Sequence, residues 1–138
     1  MPVTRHVPFV HPVNVRYLEV DRQGVVFNMW YLAYLDDAMT AFLYEGGLPY
    51  VGLRAAGYDV QVVHAELDWR GPLGLGDPAA VRVAVSKIGR TSFTLRFDVL
   101  CGARVVAEAT SVYVSVRTDG SGKCEIPPML LDALGPSS

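Results

Sequence analysis

Three residues early in the chain have types and spacing that can do chemistry. Asp21 ends an alternating, β-branched run, Asp21-Arg22-Gln23-Gly24 reads as a turn, and the apolar Val25-Val26-Phe27 leads to Asn28, a residue type that caps helices. A carboxylate placed just before a helix start faces N–H groups that lack intrahelical partners, and the positive end of the helix dipole. Those donors can stabilise a developing oxyanion, while the carboxylate can act as a base or as a nucleophile. Turns also favour Asp for its local hydrogen bonds, so the pattern alone leaves a purely structural Asp21 open.

Other chemistry-bearing residues give weaker signals. His64, Glu66 and Asp68 share the polar face of one alternating segment and read as solvated. His6 and His11 precede the first predicted element and receive no role. Cys101 and Cys124 are too few for a disulfide scaffold and lack metal-ligand spacing, so they read as simple packing thiols in a reducing cytoplasm. Tyr31, Tyr34 and Phe42 fall on the apolar stripe of a helix and are expected in the core.

These residues need elements to hold them. The pattern predicts a strand over Val13 to Val20, a long helix from Met29 to about Glu45, and a helix stop at Gly46-Gly47. A loop is expected from Leu48 to Gly57. Alternation then predicts strands at Val63 to Arg70, with Val63, Ala65, Leu67 and Trp69 on a buried face, at Val81 to Lys87, at Ser92 to Val99 and at Arg104 to Arg117. The tail beyond Pro127 is expected to be loosely held. One strand, one long helix and a run of antiparallel strands joined by short turns define the α+β class, a single sheet wrapped around one long central helix.

The chain has 138 residues, which fits a single domain over 1–138. With 51% hydrophobic and 19% charged residues it carries more apolar surface than one such domain needs, which points to burial at a subunit interface. A net charge of -2 and the absence of a Lys/Arg run argue against nucleic acid or an anionic membrane as partner. The opening Met1 to Pro12 offers no continuous apolar core for a secretory signal.

The run Val15-Arg16-Tyr17-Leu18-Glu19-Val20-Asp21-Arg22-Gln23-Gly24-Val25-Val26-Phe27-Asn28-Met29-Trp30-Tyr31-Leu32 resembles the signature of the 4-hydroxybenzoyl-CoA thioesterase and YbgC-like branch of the hotdog superfamily. The resemblance continues more weakly through Val63 to Pro72, Lys87-Ile88-Gly89-Arg90-Thr91-Ser92 and the last long strand. It implies the hotdog fold, in which subunits pair their sheets edge to edge as a homodimer or tetramer, with active sites between them. It also implies an enzyme that hydrolyses an acyl-CoA thioester to free acid and CoA. Asp21 would be nucleophile or general base, and the backbone N–H of Asn28 would point to the carbonyl oxygen. Gly24 and Tyr31 would border the substrate, and Lys87, Arg90 and Ser92 would line the CoA groove. CoA is part of the substrate, and no cofactor or metal is implied. Such chemistry needs no dedicated general acid, because a thiol with a pKa of about 8.5 leaves readily as its anion.

One position departs from the family pattern. Many members carry His where this chain has Asn28, which cannot exchange a proton near neutral pH. The Asn28 side chain can orient a water or cap the helix, and capping is the expected role because Asn is among the best N-cap residues. A dehydratase or hydratase of the same fold would need a His base, which the turn lacks, and a non-catalytic acyl-thioester binding module is disfavoured by Asp21 and Gly24.

Overall fold

The helix predicted from the spacing of Tyr31, Leu35, Ala38 and Phe42 is present as α1, Trp30–Glu45, in a computed structural model that describes residues 2–137. Its inward stripe buries those four residues with Tyr34, Met39 and Leu43. Gly47, at φ +95°, turns the chain away in a conformation that glycine adopts without a steric cost.

Around α1 curls an antiparallel sheet of β1 (Phe9–Val13), β2 (Tyr58–Trp69), β3 (Ala79–Ile88), β4 (Ser92–Cys101), β5 (Arg104–Arg117) and β6 (Gly122–Lys123). Their spatial order is β1-β3-β4-β5-β2, with β6 pairing the end of β5. Alternation works as expected in the central strands: Val81, Val83 and Val85 of β3 and Phe93, Leu95, Phe97 and Val99 of β4 are all buried. Phe93 stacks on Tyr113 of β5 at 5.2 Å between ring centroids, and Phe9 meets Phe42 of α1 edge-on at 5.5 Å. On the outer face, Arg82 donates twice to the buried Asp98.

Four expectations need correction. The first strand is Phe9–Val13, so His11 lies inside it, and Tyr17–Glu19 forms a 3₁₀ turn instead of continuing the strand. Local bonds win there: the Glu19 carboxylate reaches back to the N–H of Arg16, and this closes a tight turn that an extended chain could not make. Second, the Leu48 to Gly57 loop contains α2, Tyr50–Ala55, whose Leu53 is buried in the core. Pro49 sits just before it, where its missing N–H costs nothing.

Third, the tail is not loose. Residues Pro128–Leu134 form α3, which buries Leu130, Ala133 and Leu134. Arg5 clamps it to α1 by donating to the carbonyls of Leu134, Ala133 and Phe42 while its guanidinium lies 3.7 Å from the centre of the Phe42 ring. Fourth, the face of β2 predicted to be buried is open in the single chain: Val63 is 59% and Trp69 48% exposed. β2 is the last strand of the sheet, paired among the described residues with β5 alone, and its register shifts between Val62 and His64, so one alternation does not run through it. Among the described residues, no helix is long and apolar enough to cross a membrane.

Candidate active site

The segment between the 3₁₀ turn and α1 folds back on itself as a miniature hairpin. Val20 bridges Val26, the N–H of Asp21 donates to the carbonyl of Val25 at 2.8 Å, and the N–H of Gly24 donates to the carbonyl of Asp21 at 3.0 Å. Gly24 stands at φ +78° with open space where a Cβ would be, so its requirement is conformational, not steric. The hairpin leans on the loop after β2: Val26 donates to the carbonyl of Leu73, and Gly74 is pressed against the carbonyl of Gly24, where a Cβ would come within 3.1 Å.

Asp21 is solvent-exposed at the turn of this hairpin. Its Oδ1 accepts the N–H of Gln23 at 2.8 Å, the local bond for which turns select Asp. Its Oδ2 makes no hydrogen bond among the described residues. Seven positions on, the chain enters α1 without a side-chain cap. Met29, not Asn28, is the N-cap residue, and among the described residues no side chain caps the helix and the exposed Asn28 side chain makes no hydrogen bond. The expected capping role of Asn28 is therefore wrong, because the chain is already helical at Met29 (φ -69°, ψ -25°) and starts with tight i to i+3 bonds from Trp30 to Phe27 and Tyr31 to Asn28. Among the described residues, the backbone N–H groups of Asn28 and Met29 have no acceptor.

Apolar side chains ring this corner and face outward: Tyr17 is 82% and Met29 69% exposed, and Leu18 and Phe27 are open as well. Behind them Tyr31 is in the core as expected, its ring edge-on to Trp69 at 6.1 Å. Burial pushes its phenol above the ordinary range.

Sequence reasoning missed the group beneath the hairpin. Glu19 is 3% exposed and fully engaged: Oε1 accepts the N–H of Arg16 at 2.9 Å and the hydroxyl of Tyr34 at 2.8 Å, while Oε2 accepts Nε and Nη2 of Arg16, each at 2.8 Å. Burial acts to raise its pKa, but the bonds from the Arg16 backbone, Tyr34 and the Arg16 guanidinium outweigh it and hold the carboxyl below its ordinary value. The phenol of Tyr34 is pushed far up by burial and by its bond to Glu19. The signal was the Arg-x-x-Glu spacing of a capping box directly before Asp21.

The other predicted site residues lie elsewhere. Lys87, Arg90 and Ser92 flank the β3–β4 turn, where Lys87 and Arg90 are exposed and Arg90 touches Glu125 at 3.2 Å. Ser92 is level with Val114 and Gln61, whereas Val99 is level with Ala107 and Trp69 beside the hairpin. From Ser92 to Val99 the sheet spans about 23 Å at ~3.3 Å per residue. Within one chain, Asp21, Gly24, Asn28 and Tyr31 are thus gathered at one end of the sheet, and Lys87, Arg90 and Ser92 at the other. A cavity of about 660 Å³ between Arg5, Phe9, Phe42, Arg82 and Arg96 is separate from both groups.

Residues 15–134 match the model of the family described as the thioesterase-like superfamily. A 1,4-dihydroxy-2-naphthoyl-CoA hydrolase of Nostoc punctiforme is 25% identical over 132 residues, covering 91% of this chain and 86% of that protein. The crystal structure of a hypothetical protein from Aquifex aeolicus superposes with a TM-score of 0.87 at 28% identity, over 92% of this chain and 99% of that one. A gentisyl-coenzyme A thioesterase superposes with a TM-score of 0.84 at 25% identity, over 91% and 99%.

Proposed function

Since the chain belongs to the thioesterase-like superfamily, we propose that it hydrolyses an acyl-CoA thioester to the free acid and CoA, with the Asp21 hairpin as the reacting centre. The observation that carries this reading is the pairing, in one short segment, of a carboxylate oxygen and two backbone N–H groups that have no hydrogen-bond partner among the described residues. The N–H groups of Asn28 and Met29 are free to receive the thioester carbonyl oxygen as it gains charge. Asp21 either adds to the carbonyl carbon to give an anhydride that water opens, or takes a proton from the water that adds. In both cases a C–O bond forms, the C–S bond breaks, and CoA departs as thiolate. Because the thiolate is a good leaving group, Asn28 in place of a proton donor is compatible with turnover. CoA enters as part of the substrate, and the reaction calls for no metal or other cofactor.

The separation of the two groups of residues supports a site shared between subunits. β2 has an unpaired outer edge with Val62 and Val63 exposed on it, a surface that invites pairing with another strand. Antiparallel pairing of two β2 edges would set Tyr58 of one copy beside Trp69 of the other. The partner's β3–β4 turn would then come to the end of the sheet that holds Asp21, where Lys87, Arg90 and Ser92 could meet the CoA phosphates. The apolar ring of Tyr17, Leu18, Phe27 and Met29 would be covered by the acyl group and the partner. The relatives named for dihydroxynaphthoyl-CoA and gentisyl-CoA favour a hydroxylated aromatic acyl group.

A hydrolysis screen of the purified protein against aromatic, short-chain and long-chain acyl-CoAs, read by free thiol, tests the proposal. Release of thiol from an aromatic acyl-CoA is expected. Binding of acyl-CoA with no thiol release from any class would convert the reading into that of a non-catalytic acyl-thioester binding module.

A further inference from the structure

Glu19 is a buried carboxylate that the hydrolytic scheme does not use. Taking a charge out of water costs several kcal/mol unless it is fully bonded, so a side chain placed this way must hold something together. What it holds is specific. Its own backbone carbonyl accepts the N–H of Phe27 at 2.9 Å, which fixes the strand leading to Asp21 against the strand leading to Asn28. Its carboxylate binds the hydroxyl of Tyr34 at 2.8 Å, which fixes both strands to the second turn of α1. Arg16 occupies the other oxygen and stacks 5.6 Å from the centre of the Trp30 ring at the first residue of α1. One residue therefore joins the arm carrying the carboxylate, the arm carrying the N–H donors, and the helix from which those donors emerge.

We propose that Glu19, acting through Tyr34, is a positioning residue for hydrolysis: it sets the separation between the Asp21 carboxylate and the N–H groups of Asn28 and Met29, and so governs turnover more than substrate binding. The proposal rests on the reading of Asp21 and these N–H groups given above. Neither Glu19 nor Tyr34 can touch substrate where it stands, since they are 3% and 4% exposed, so any effect on rate must travel through geometry. A displacement of about 1 Å between reacting groups can cost up to a hundredfold in rate.

The test is Tyr34→Phe, which removes one hydroxyl and keeps the ring packed, with Glu19→Gln as a second variant that keeps side-chain shape but loses the charge. For each, kcat and KM on the best acyl-CoA, the urea midpoint, and single-turnover rates in an Asp21→Asn background are measured. The expected result is a fall in kcat of about tenfold or more with KM within about threefold. In the Asp21→Asn background the same change should have little further effect, because the separation that Glu19 sets matters only while the Asp21 carboxylate is there to use it. A Tyr34→Phe protein with a lowered urea midpoint but unchanged kcat overturns the proposal, as does an equal loss of rate with and without Asp21. If Asp21→Asn is inactive and Tyr34→Phe fully active, the positioning role alone fails. If Asp21→Asn turns over normally, both readings fall together.

Discussion

Replacing Asp21 by Asn separates the turn residue from the catalytic carboxylate, and the hydrogen bonds around it set the size of each effect. Asn retains an oxygen that can accept the N–H of Gln23, the 2.8 Å bond that Oδ1 now makes, and the backbone bonds of Asp21 to Val25 and Gly24 do not involve the side chain. The atom exchanged for NH₂ is Oδ2, which has no partner to lose among the described residues. Fold stability should change by no more than about 0.5 kcal/mol, the range of exposed substitutions, with part of it from a negative charge removed near a helix start. The rate should change far more. An amide is neither a base nor an anionic nucleophile, and such assistance is commonly worth at least about a hundredfold, or about 2.7 kcal/mol of barrier. The free N–H groups of Asn28 and Met29 are untouched, so substrate should still bind. Thermal melting, acyl-CoA affinity and thiol release measured on parent and variant give the three numbers together. An Asp21→Asn protein that folds, binds and hydrolyses at nearly the parent rate would refute the reasoning.

Three further outcomes are expected. Val63→Lys puts a charge on the bare edge of β2 at a side chain already exposed in the single chain, so the subunit should still fold while light scattering shifts from twice the 15.0 kDa chain mass toward once, with turnover lost. Changing Lys87 and Arg90 together to Ala should raise KM for acyl-CoA and leave a truncated pantetheine thioester unaffected; equal effects on both would remove these residues from the CoA groove. Because the Glu19 carboxyl titrates below its ordinary value near 4.5, it binds protons less readily folded than unfolded. Its contribution to stability is therefore complete above that value and is lost as pH falls through the lowered folded value. Glu19→Gln should flatten the decline of the urea midpoint below about pH 4.5, and parallel declines in both proteins would count against it.

The legible parts of the fold were those governed by one periodicity. Val81, Val83 and Val85 alternate because β3 is covered on one side by α1, and Tyr31, Leu35, Ala38 and Phe42 recur because α1 is covered on one side by the sheet. The pattern misled where that condition fails. β2 alternates as if buried, but its face is open in the single chain, and α3 reads as tail because two turns of helix carry too few residues to show a period. In the candidate site, Asp21 and Gly24 were readable from turn chemistry. Glu19 was not, since a polar residue in a β-branched run reads as the solvent face of a strand, and only its bonds to Arg16 and Tyr34 reveal that it points inward. Asn28 misled in the opposite sense: its type suits a cap, but the backbone had already turned helical one residue later with no bond from its side chain.

The two margins of the sheet are not equivalent, and the difference would limit how far strand addition between copies could run. One margin ends in β1, five residues long and interrupted by Pro12, which has no N–H to offer a neighbouring strand. The other margin is β2, twelve residues with a free edge. If two β2 edges pair as proposed above, each copy would present β1 to the outside and act as a chain terminator at both ends of the pair. Growth by strand addition would then stop at two, and a sheet that could otherwise be a template for fibres would become a finite object.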